Sequence, residues 1–470
     1  MNKDERHNCT VIILGASGDL SKRKLFPALY SLFQRDKIDK MLIVGAALDA
    51  IDSTVLVRES RSFVAGEIDE HAWNQLEKST FYQQLNFTQE ADFAHLDSYV
   101  AQLEKEHAMS GNRLVYCAAA AHFFCALTKN IAGSGLAKKV SRQEPYWHRI
   151  IYEKPFGHNL QSAHEINECI AATFYEHQIY RIDHYLTKEL VSNIALIRFT
   201  NAVFEPIWDN RYIDNIQIII NEKIGVEGRG AFYDDYGALR DVVQNHMLEL
   251  LALIGMEAPE KIVGNAIRDQ RARMLKKVHF SDGLLGQYRG YHDEGQVAHD
   301  SKTETFAALM LRIDNPRWAG VPFYIKTGKM LDDSQTVVYV TFKQTNCQLT
   351  QNCSTEPNIV TIQISPQELF TLTLNARKPG TQQELIAMPM EYCHSCRFGA
   401  QIPPAYTVLL EEVMRGEQSV SVRFDEIEYA WRLIDTIREK QLPVYEYEQG
   451  SDGPKELKQF EQKHGMRWLS

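Results

Sequence analysis

Residues 11–25 read VIILGASGDLSKRKL, an apolar run followed at once by a glycine turn and a segment with helical spacing. The run at 11–14 is short and wholly apolar, which is typical of a strand buried on both faces. Gly15 and Gly18 follow it, and after the helical segment comes a second apolar run at 41–45. Strand, turn, helix and strand in this order predict a βαβ unit, whose parallel strands need such a crossover.

Further along the chain the same alternation continues and then stops. Apolar runs at 113–117 and 149–152 predict two more strands, with amphipathic segments between them. Alternating strands and helices over about 180 residues predict a Rossmann-like, doubly wound α/β domain, which we place at 1–180. The boundary near 180 depends only on the change of rhythm that follows.

After residue 200, strands follow one another without regular intervening helices. They are predicted at 216–220, 305–313, 321–326, 336–343, 358–364 and 369–375. This order favours a mainly antiparallel sheet, with helices at about 231–254, 403–415 and 426–440 covering it. We therefore expect a larger α+β domain over 181–470.

Length and composition limit the class of protein. A chain of 470 residues predicts about two domains, and 44% hydrophobic with 24% charged residues is ordinary for a globular protein. The net charge of −10 argues against a broad nucleic-acid-binding surface. No apolar run approaches the roughly 18–20 residues of a membrane span, and the polar start MNKDERHNCT lacks a signal-peptide pattern. We expect a cytoplasmic enzyme with no membrane or nucleic-acid partner.

The eight cysteines are scattered along the chain, which favours reduced thiols. Cys393 and Cys396 have the C-x-x-C spacing of half a zinc site or of a redox pair. A structural zinc site needs about four ligands, and Cys347 and Cys353 are too far apart in sequence to supply a second pair. We therefore predict no metal site, with both alternatives kept open for the C-x-x-C pair.

Two motifs in the first half point to a nucleotide and a charged ligand. A glycine turn between a buried strand and a helix lets the backbone approach a diphosphate at the helix N-terminus. The motif EKPFG follows the strand at 149–152, so Lys154 lies at the sheet edge where ligands bind in doubly wound folds. Pro155 restricts Lys154 to extended conformations and permits a cis bond. The alternative is a turn with a solvated lysine.

Two further segments carry groups suited to acid–base or phosphate chemistry. His184 and Lys188 are four apart, so on a helix they would face the same way, and with the Tyr185 hydroxyl they could hold a phosphate. The alternative is a solvated helix start. His246 precedes the apolar run 248–253 and is a candidate general base, against the alternative of a hydrogen-bonded structural histidine.

Taken together, these stretches resemble the glucose-6-phosphate dehydrogenase family. The resemblance is carried, in order, by GASGDLSKRKLFPALYSLF, EKPFG, RIDHYLTKE, EGRGAFYDDYG with the following QNH, and VPFYIKTGK. It extends to RFGAQIPPAY and AWRLID, so it covers nearly the whole chain. It implies oxidation of glucose 6-phosphate at C1 to the 6-phosphogluconolactone, the first step of the oxidative pentose phosphate pathway. It also implies that the second domain binds substrate and forms homodimers or homotetramers through its large sheet.

The resemblance also implies roles for individual residues. His246 would remove the C1 hydroxyl proton, and Asp183 would hydrogen-bond His246 and fix its tautomer. His184, Tyr185 and Lys188 would hold the phosphate. The implied substrate-binding residues are Lys154, His184, Tyr185, Lys188, Glu222, Asp241 and Lys329. The implied cofactor-binding residues are Gly15, Ser17, Gly18, Asp19, Leu20, Leu48, Asp49 and Lys154.

Departures from the family pattern lie mainly on the cofactor side. Leu48 occupies the position of an arginine that pairs with the 2′-phosphate of NADP, and Asp49 beside it would repel a phosphate. An acidic group at the end of this strand suits a ribose 2′-hydroxyl. We expect NADP as the cofactor, by family, with NAD as a serious rival. Other departures are Ala118–Ala121 for a proline pair, Thr187 for glycine, Ser365 for glutamine and Lys326 for arginine.

Two other functions compete with this interpretation. A related sugar oxidoreductase with the E-K-P motif would share Lys154 but would lack the RIDHYLTKE and QNH segments. A catalytically weakened sensor of nucleotide or sugar phosphate would explain the altered cofactor positions. The retained pair Asp183 and His246 argues against a sensor, since a pure binding protein needs no proton acceptor.

Overall fold

The computed structural model describes residues 6–344, 356–381, 384–393, 396–397, 399 and 403–469, apart from the side chains at 184 and 189. It divides into two compact units. The first comprises Met1–Thr187, Val263–Asn265 and Pro403–Phe424, and the second comprises Lys188–Ile262, Ala266–Ile402 and Asp425–Ser470.

The first unit is built on a six-stranded, all-parallel sheet with strand order β3-β2-β1-β4-β5-β6. The strands are β1 His7–Leu14, β2 Ile38–Ala47, β3 Thr80–Gln84, β4 Arg113–Cys117, β5 His148–Glu153 and β6 Ile179–Ile182. Its helices are Ser21–Leu25 (π-helical), Phe26–Gln34, Ser53–Ser60, Glu70–Ser79, Glu90–Glu106, Phe124–Ser134 and Leu160–Thr173. The predicted Rossmann-like domain is confirmed.

Alternate residues of β1 show why its run 11–14 is apolar throughout. Val11 and Ile13 belong to one hydrophobic cluster, and Ile12 and Leu14 belong to another. Successive side chains of a strand point to opposite faces, so both faces of the sheet are covered. The order of strands reverses between β1 and β4, which places the glycine turn after β1 at a topological switch point.

One segment from far along the chain belongs to the first unit, in contrast to the predicted single cut near 180. Helix Ala405–Arg415 lies in Pro403–Phe424, and it buries Leu409, Leu410 and Val413 in the cluster that also contains Leu29. Its amphipathic pattern predicts a helix but carries no information about which sheet covers the apolar face. For that reason the predicted range 181–470 includes a segment that packs with the nucleotide-binding sheet.

The second unit contains a nine-stranded sheet with strand order β14-β13-β12-β11-β7-β10-β9-β8-β15. Its strands are β7 Ile213–Asn221, β8 Val278–Tyr288, β9 Phe306–Ile313, β10 Phe323–Gly328, β11 Gln335–Phe342, β12 Ile359–Ser365, β13 Leu369–Arg377, β14 Leu385–Cys393 and β15 Val444–Tyr447. All neighbours are antiparallel except β7 with β10 and β8 with β15. The predicted, mainly antiparallel sheet is confirmed.

The remaining helices lie mainly in the second unit. They are Glu189–Thr200, Gly230–Ala238, Leu239–Met247 (π-helical), Leu248–Gly255, Gly264–Leu275, Phe424–Glu439 and Leu457–His464. The predicted helix at 231–254 is therefore three consecutive segments. The middle segment has wider, π-helical turns, a conformation that is frequent at functional sites.

The expectation of reduced thiols is wrong for one pair. Cys393 and Cys396 form a disulfide, and their Cα atoms are 5.2 Å apart, within the usual range for such a bond. Cys347 and Cys353 lie outside the described residues. Among the residues that are described, no three histidine, cysteine or acidic side chains cluster as a metal site would require. No helix in the described part of the chain is long and apolar enough to cross a membrane.

Candidate active site

The turn after β1 has the geometry of a diphosphate-binding loop. Gly15 has φ +96°, and a Cβ there would lie 2.3 Å from the Ala118 carbonyl oxygen, so only glycine fits. The Gly15 amide donates to Ala46 O (2.7 Å), and the Gly18 amide donates to Gly15 O (3.0 Å). The Ser21 hydroxyl also donates to Gly15 O (3.0 Å). The turn thus lies between the ends of β2 and β4, where a nucleotide diphosphate can approach the backbone closely.

The end of β2 suits a ribose better than a 2′-phosphate. Leu48 is 65% exposed and Asp49 follows it, so this end presents one apolar and one acidic side chain. Gln84 donates to the Leu48 carbonyl (2.8 Å), and the Tyr82 hydroxyl lies 3.0 Å from the carbonyl oxygen of Ala47. These contacts fix the backbone of the loop. The glycine turn after β1 can accept the diphosphate part of a nicotinamide dinucleotide. At the end of β2, by contrast, neither Leu48 nor Asp49 supplies a cation for the 2′-phosphate of NADP.

Two cations near the glycine turn already have partners. The Arg23 Nε lies 2.6 Å from the Asp19 carboxylate, and the Lys22 Nζ lies 2.8 Å from Glu59. Arg23 and Asp19 are both largely exposed, so their pairing is weak and an incoming phosphate could compete for the arginine. A 2′-phosphate would thus have to displace an acidic partner from Arg23 or approach Asp49.

At the carboxyl end of β5, two tyrosine hydroxyls donate hydrogen bonds to the Glu153 carboxylate. The Tyr116 hydroxyl donates to its carboxylate in a short hydrogen bond, and the Tyr406 hydroxyl lies 3.4 Å away. Burial raises the pKa of Glu153 to about 7, helped by the nearby charge of Asp183 and opposed by the tyrosine hydrogen bonds and by Lys154. This edge of the sheet therefore holds a carboxyl group that titrates near neutral pH.

Lys154 and Asp183 follow the neighbouring strands β5 and β6. The Lys154–Pro155 peptide bond is cis, a conformation that the proline permits. Asp183 is 2% exposed, and its Oδ1 accepts a hydrogen bond from the Tyr185 amide (2.9 Å), so its orientation is fixed by the turn that follows. Parallel strands end at one edge of a sheet, which explains why both residues accompany the glycine turn in this unit.

The prediction that His184 and Lys188 share one helical face is wrong. Residues His184–Thr187 form a single 3₁₀ turn, and Lys188 has extended backbone angles (φ −67°, ψ 134°) before helix Glu189–Thr200 begins. The four-residue spacing therefore spans a break between two helical segments. Residues four apart in sequence share a helical face only where the helix between them is continuous.

In the second unit, Glu222 and Lys329 form an ion pair. They directly follow β7 and β10, which are parallel neighbours with Asn221 opposite Gly328. The Glu222 amide donates to Gly328 O (3.0 Å), so the two chain ends are also tied through their backbones. The Lys329 side chain is only 9% exposed. The carboxylate and the ammonium are therefore held side by side at one end of the sheet.

Tyr233 and the π-helical segment carry further candidate residues of the second unit. The Lys329 Nζ lies 5.1 Å from the centre of the Tyr233 ring, a cation–π distance. Burial, then the charges of Asp241, Glu304 and Glu222 among others, raise the pKa of Tyr233 well above its ordinary value. Asp241 and His246 lie on the π-helical segment Leu239–Met247, and His246 is 5% exposed. The charges of three carboxylates and one ammonium thus act on the Tyr233 side chain.

The structure distributes the sequence-predicted residues over both units. Lys154 and Asp183 lie in the first unit with the glycine turn and the end of β2, and Lys188, Glu222, Asp241, His246 and Lys329 lie in the second. Sequence reasoning missed Tyr233 and Tyr406. Tyr233 lies within the motif EGRGAFYDDYG and could have been included, but the contact of Tyr406 with Glu153 spans 253 residues and has no local signal.

The chain is similar to known proteins over its whole length. It is 37% identical to a glucose-6-phosphate 1-dehydrogenase of Bacillus subtilis, with 100% of this chain and 99% of the relative covered. It is 36% identical to a cytoplasmic glucose-6-phosphate 1-dehydrogenase of Arabidopsis thaliana, covering 98% and 93%. A solved glucose-6-phosphate dehydrogenase in complex with glucose 6-phosphate matches with a TM-score of 0.92 at 31% identity, covering 100% of both chains.

Family models agree with these pairwise similarities. The model described as the NAD binding domain of glucose-6-phosphate dehydrogenase matches residues 12–193, and the model of the C-terminal domain matches residues 195–469. Together they cover every residue assigned above to the candidate site. The chain belongs to the glucose-6-phosphate dehydrogenase family.

Proposed function

We propose that this protein oxidises D-glucose 6-phosphate at C1 to 6-phospho-D-glucono-1,5-lactone, with NADP or NAD as the hydride acceptor. The observation that carries the proposal is the ion pair of Glu222 and Lys329 beside the Tyr233 ring, whose pKa the charge of Asp241 also raises. Carboxylates accept hydrogen bonds from sugar hydroxyls, and an ammonium donates to them. Such a set suits a polyhydroxylated ligand, in an enzyme whose family relatives carry the name of this activity.

Proton removal falls to His246 in this proposal. A histidine has a pKa near working pH, so its neutral imidazole accepts the C1 hydroxyl proton as the C–H electron pair leaves. Asp183 then hydrogen-bonds the other ring nitrogen, which selects the tautomer and stabilises the imidazolium. This pairing is the one that the family resemblance implies. When bound, the oxidised nicotinamide supplies the hydride acceptor.

We assign binding of the substrate phosphate to the segment 183–188. We assign orientation of the cofactor to Lys154. Tyr185 and Lys188 supply a hydroxyl and an ammonium, and His184 is the third member implied by the family. Lys154 would lie between the sugar and the nicotinamide. NADP is the usual cofactor of the family, and NAD is the alternative that Leu48 and Asp49 favour, because an aspartate at this strand end accepts hydrogen bonds from ribose hydroxyls.

The proposals for assembly and location rest on the same family membership. We propose a homodimer or homotetramer that contacts its copies through the large sheet. Four large apolar side chains on β13 and β14 are exposed, namely Leu374, Met388, Met390 and Tyr392, and exposed apolar patches mark interaction surfaces. We also propose a cytoplasmic location, in keeping with the Arabidopsis relative described as cytoplasmic.

A direct assay tests the proposed activity. Purified protein is mixed with glucose 6-phosphate and with NADP or NAD in separate titrations, and formation of the reduced nicotinamide is followed by absorbance. Turnover with either nucleotide supports the proposal. Binding of glucose 6-phosphate without reduction of either nucleotide would contradict it and would favour a sensor. Turnover with another phosphorylated sugar alone would assign the protein to a different sugar oxidoreductase.

A further inference from the structure

Glu304 makes the contacts that begin the helical segment on which His246 and Asp241 lie. Its Oε1 accepts a hydrogen bond from the Leu239 amide (3.0 Å), and its backbone carbonyl accepts one from the Ala238 amide (2.9 Å). These two amides stand at the start of the π-helical segment, where backbone donors lack partners in the preceding turn. A carboxylate there also interacts favourably with the positive end of the helix dipole.

Gly237 makes room for this carboxylate. Its backbone has φ +67° and ψ 176°, so helix Gly230–Ala238 is interrupted at this residue. A Cβ at Gly237 would lie 2.4 Å from Glu304 Oε1 and 2.7 Å from Cδ, which no side chain can tolerate without displacing the glutamate. The interruption at Gly237 and the position of Glu304 therefore depend on each other.

The residue after Glu304, Thr305, is hydrogen-bonded to the backbone of Lys329, which belongs to the proposed sugar-binding residues. Thr305 O accepts a hydrogen bond from the Lys329 amide (3.0 Å). The Thr305 hydroxyl lies 2.9 Å from the Tyr447 hydroxyl, which in turn donates to the Lys329 carbonyl (2.6 Å). Two consecutive residues thus hold the start of the π-helical segment on one side and the backbone of Lys329 on the other.

We infer that Glu304 is a positioning residue, which sets the place of His246 and Asp241 relative to Lys329 and Glu222 for the reaction. The inference depends on the proposed function for the roles of those four residues. Glu304 itself touches no reacting group. Its effect on the rate comes through geometry, because a displacement of about 1 Å at a reacting group can cost ~10²-fold in rate.

The pKa of Glu304 is raised, chiefly by burial. The hydrogen bonds from the Glu304 and Leu239 amides, then the charges of Arg240 and Arg438, act in the opposite direction. The acceptor that the Leu239 amide needs is an oxygen, which the side chain supplies in either protonation state. Arg240 donates from Nε to the Tyr236 carbonyl (2.6 Å), and the Leu239 amide donates to Glu304 Oε1. Hydrogen bonding to the Leu239 amide needs an acceptor oxygen at the end of a side chain of glutamate length.

Two substitutions separate positioning from bulk stability. Glu304→Ala removes the acceptor, whereas Glu304→Gln keeps an amide oxygen at the same reach. We expect Glu304→Ala to lower kcat for glucose 6-phosphate oxidation about tenfold or more and Glu304→Gln to restore it to within about threefold of the wild type. Asp282→Ala is the matched control, because Asp282 is a half-buried carboxylate of the same unit paired with Lys463 and His464. It is expected to lower Tm without lowering kcat.

Hydrogen exchange tests the inference without any turnover. Amides 238–247 are expected to exchange faster in Glu304→Ala than in the wild type and at nearly the wild-type rate in Glu304→Gln. If Glu304→Ala does not fold, Glu304→Asp takes its place, since it keeps the charge and loses the reach. Unchanged exchange and unchanged kcat in the shorter variant would overturn the inference. A wild-type protein inactive on glucose 6-phosphate, with the exchange pattern as expected, would instead contradict the proposed function and leave the anchoring role standing.

Discussion

The ammonium of Lys329 is ion-paired with the carboxylate of Glu222, and the two residues directly follow the parallel neighbours β10 and β7. This is one of two parallel pairs in a sheet that is otherwise antiparallel. Antiparallel neighbours have their carboxyl ends at opposite edges of the sheet. Only a parallel pair therefore brings the carboxyl ends of two neighbouring strands together. The exception in the sheet topology therefore creates the charged pair of the candidate sugar site.

Replacement of Glu222 by glutamine tests that pair. Glu222→Gln removes the charge opposite Lys329 and weakens acceptance of a sugar hydroxyl, while the side-chain volume is kept. Because hydrogen bonds to charged groups contribute ~1.5–3 kcal/mol, we expect kcat/KM for glucose 6-phosphate to fall about 10–100-fold. Glu446→Gln is the control, since Glu446 pairs with Arg289 on an exposed surface where ion pairs contribute little. Equal kinetics of both variants would exclude Glu222 from the sugar site.

Replacement of His246 tests the assignment of the base. His246→Asn removes the imidazole that accepts the C1 proton, so kcat should fall ~10²–10⁴-fold, with KM for glucose 6-phosphate within about threefold of the wild type. Steady-state kinetics over a range of pH provide the measurement. His299→Asn, a change at an exposed histidine of the same unit, should leave both constants unchanged. A His246→Asn enzyme with near wild-type kcat would assign the proton transfer to another group.

The first βαβ unit of the nucleotide-binding half was predictable because its signals are local, whereas β3 and β6 were not predicted. The run 11–14, Gly15 and the leucine spacing after it form one continuous pattern, and the structure follows it closely. Strand β8, by contrast, was missed, because VHFSDGLLGQY contains two glycines and several polar residues. It is identified as a strand only by its pairing with β9, which depends on a partner distant in sequence.

The candidate site shows the same division between local and distant information. Glu222 and Lys329 were named from motifs, but their pairing depends on strand register that no motif records. Glu153 illustrates the point further, since its environment includes Tyr406, whose helix packs with the first unit. Motifs therefore predict which side chains matter, whereas the sheet topology determines which of them meet.

Cofactor preference can be tested by exchanging the charge at the end of β2. The variant Leu48→Arg with Asp49→Ser supplies a guanidinium and removes the carboxylate that would repel a 2′-phosphate. One charge-assisted contact contributes ~1.5–3 kcal/mol, so the ratio of kcat/KM for NADP to that for NAD should rise about 10–100-fold. Val203→Arg adds the same charge at another exposed apolar position and should leave the ratio unchanged. Nucleotide binding measured by calorimetry should shift in the same direction as the kinetics.

A wild-type enzyme that already prefers NADP strongly would contradict the role given to Leu48 and Asp49. In that case Arg23 would have to exchange Asp19 for the 2′-phosphate, and Arg23→Gln should then raise the KM for NADP but not for NAD. If the wild type instead uses NAD at least as well as NADP, Arg23→Gln should have little effect on the KM for either nucleotide. The two arrangements thus give opposite results for a single substitution.

The buried carboxyl of Glu153 predicts a loss of stability as pH rises. Its pKa is raised from 4.5 to about 7, chiefly by burial and also by Asp183, whereas Tyr116, Tyr406 and Lys154 act in the opposite direction. The folded protein therefore binds more protons than the unfolded chain between about pH 4.5 and 7, so its free energy of unfolding decreases as pH rises through that window. Above pH 7 the cost of ionisation, up to ~3 kcal/mol, is present in full.

Glu153→Gln removes this titration while keeping the shape of the side chain and its contacts with the tyrosine hydroxyls. We expect the decrease in Tm between pH 5 and pH 8 to be smaller in Glu153→Gln than in the wild type by a few degrees, since ~1 kcal/mol corresponds to about 2–4 °C for units of this size. Calorimetry at several pH values measures it, and Glu67→Gln, at an exposed glutamate of the same unit, should follow the wild type. Parallel curves for all three proteins would mean that Glu153 is ionised at pH 5, and that the tyrosine hydrogen bonds and Lys154 outweigh its burial.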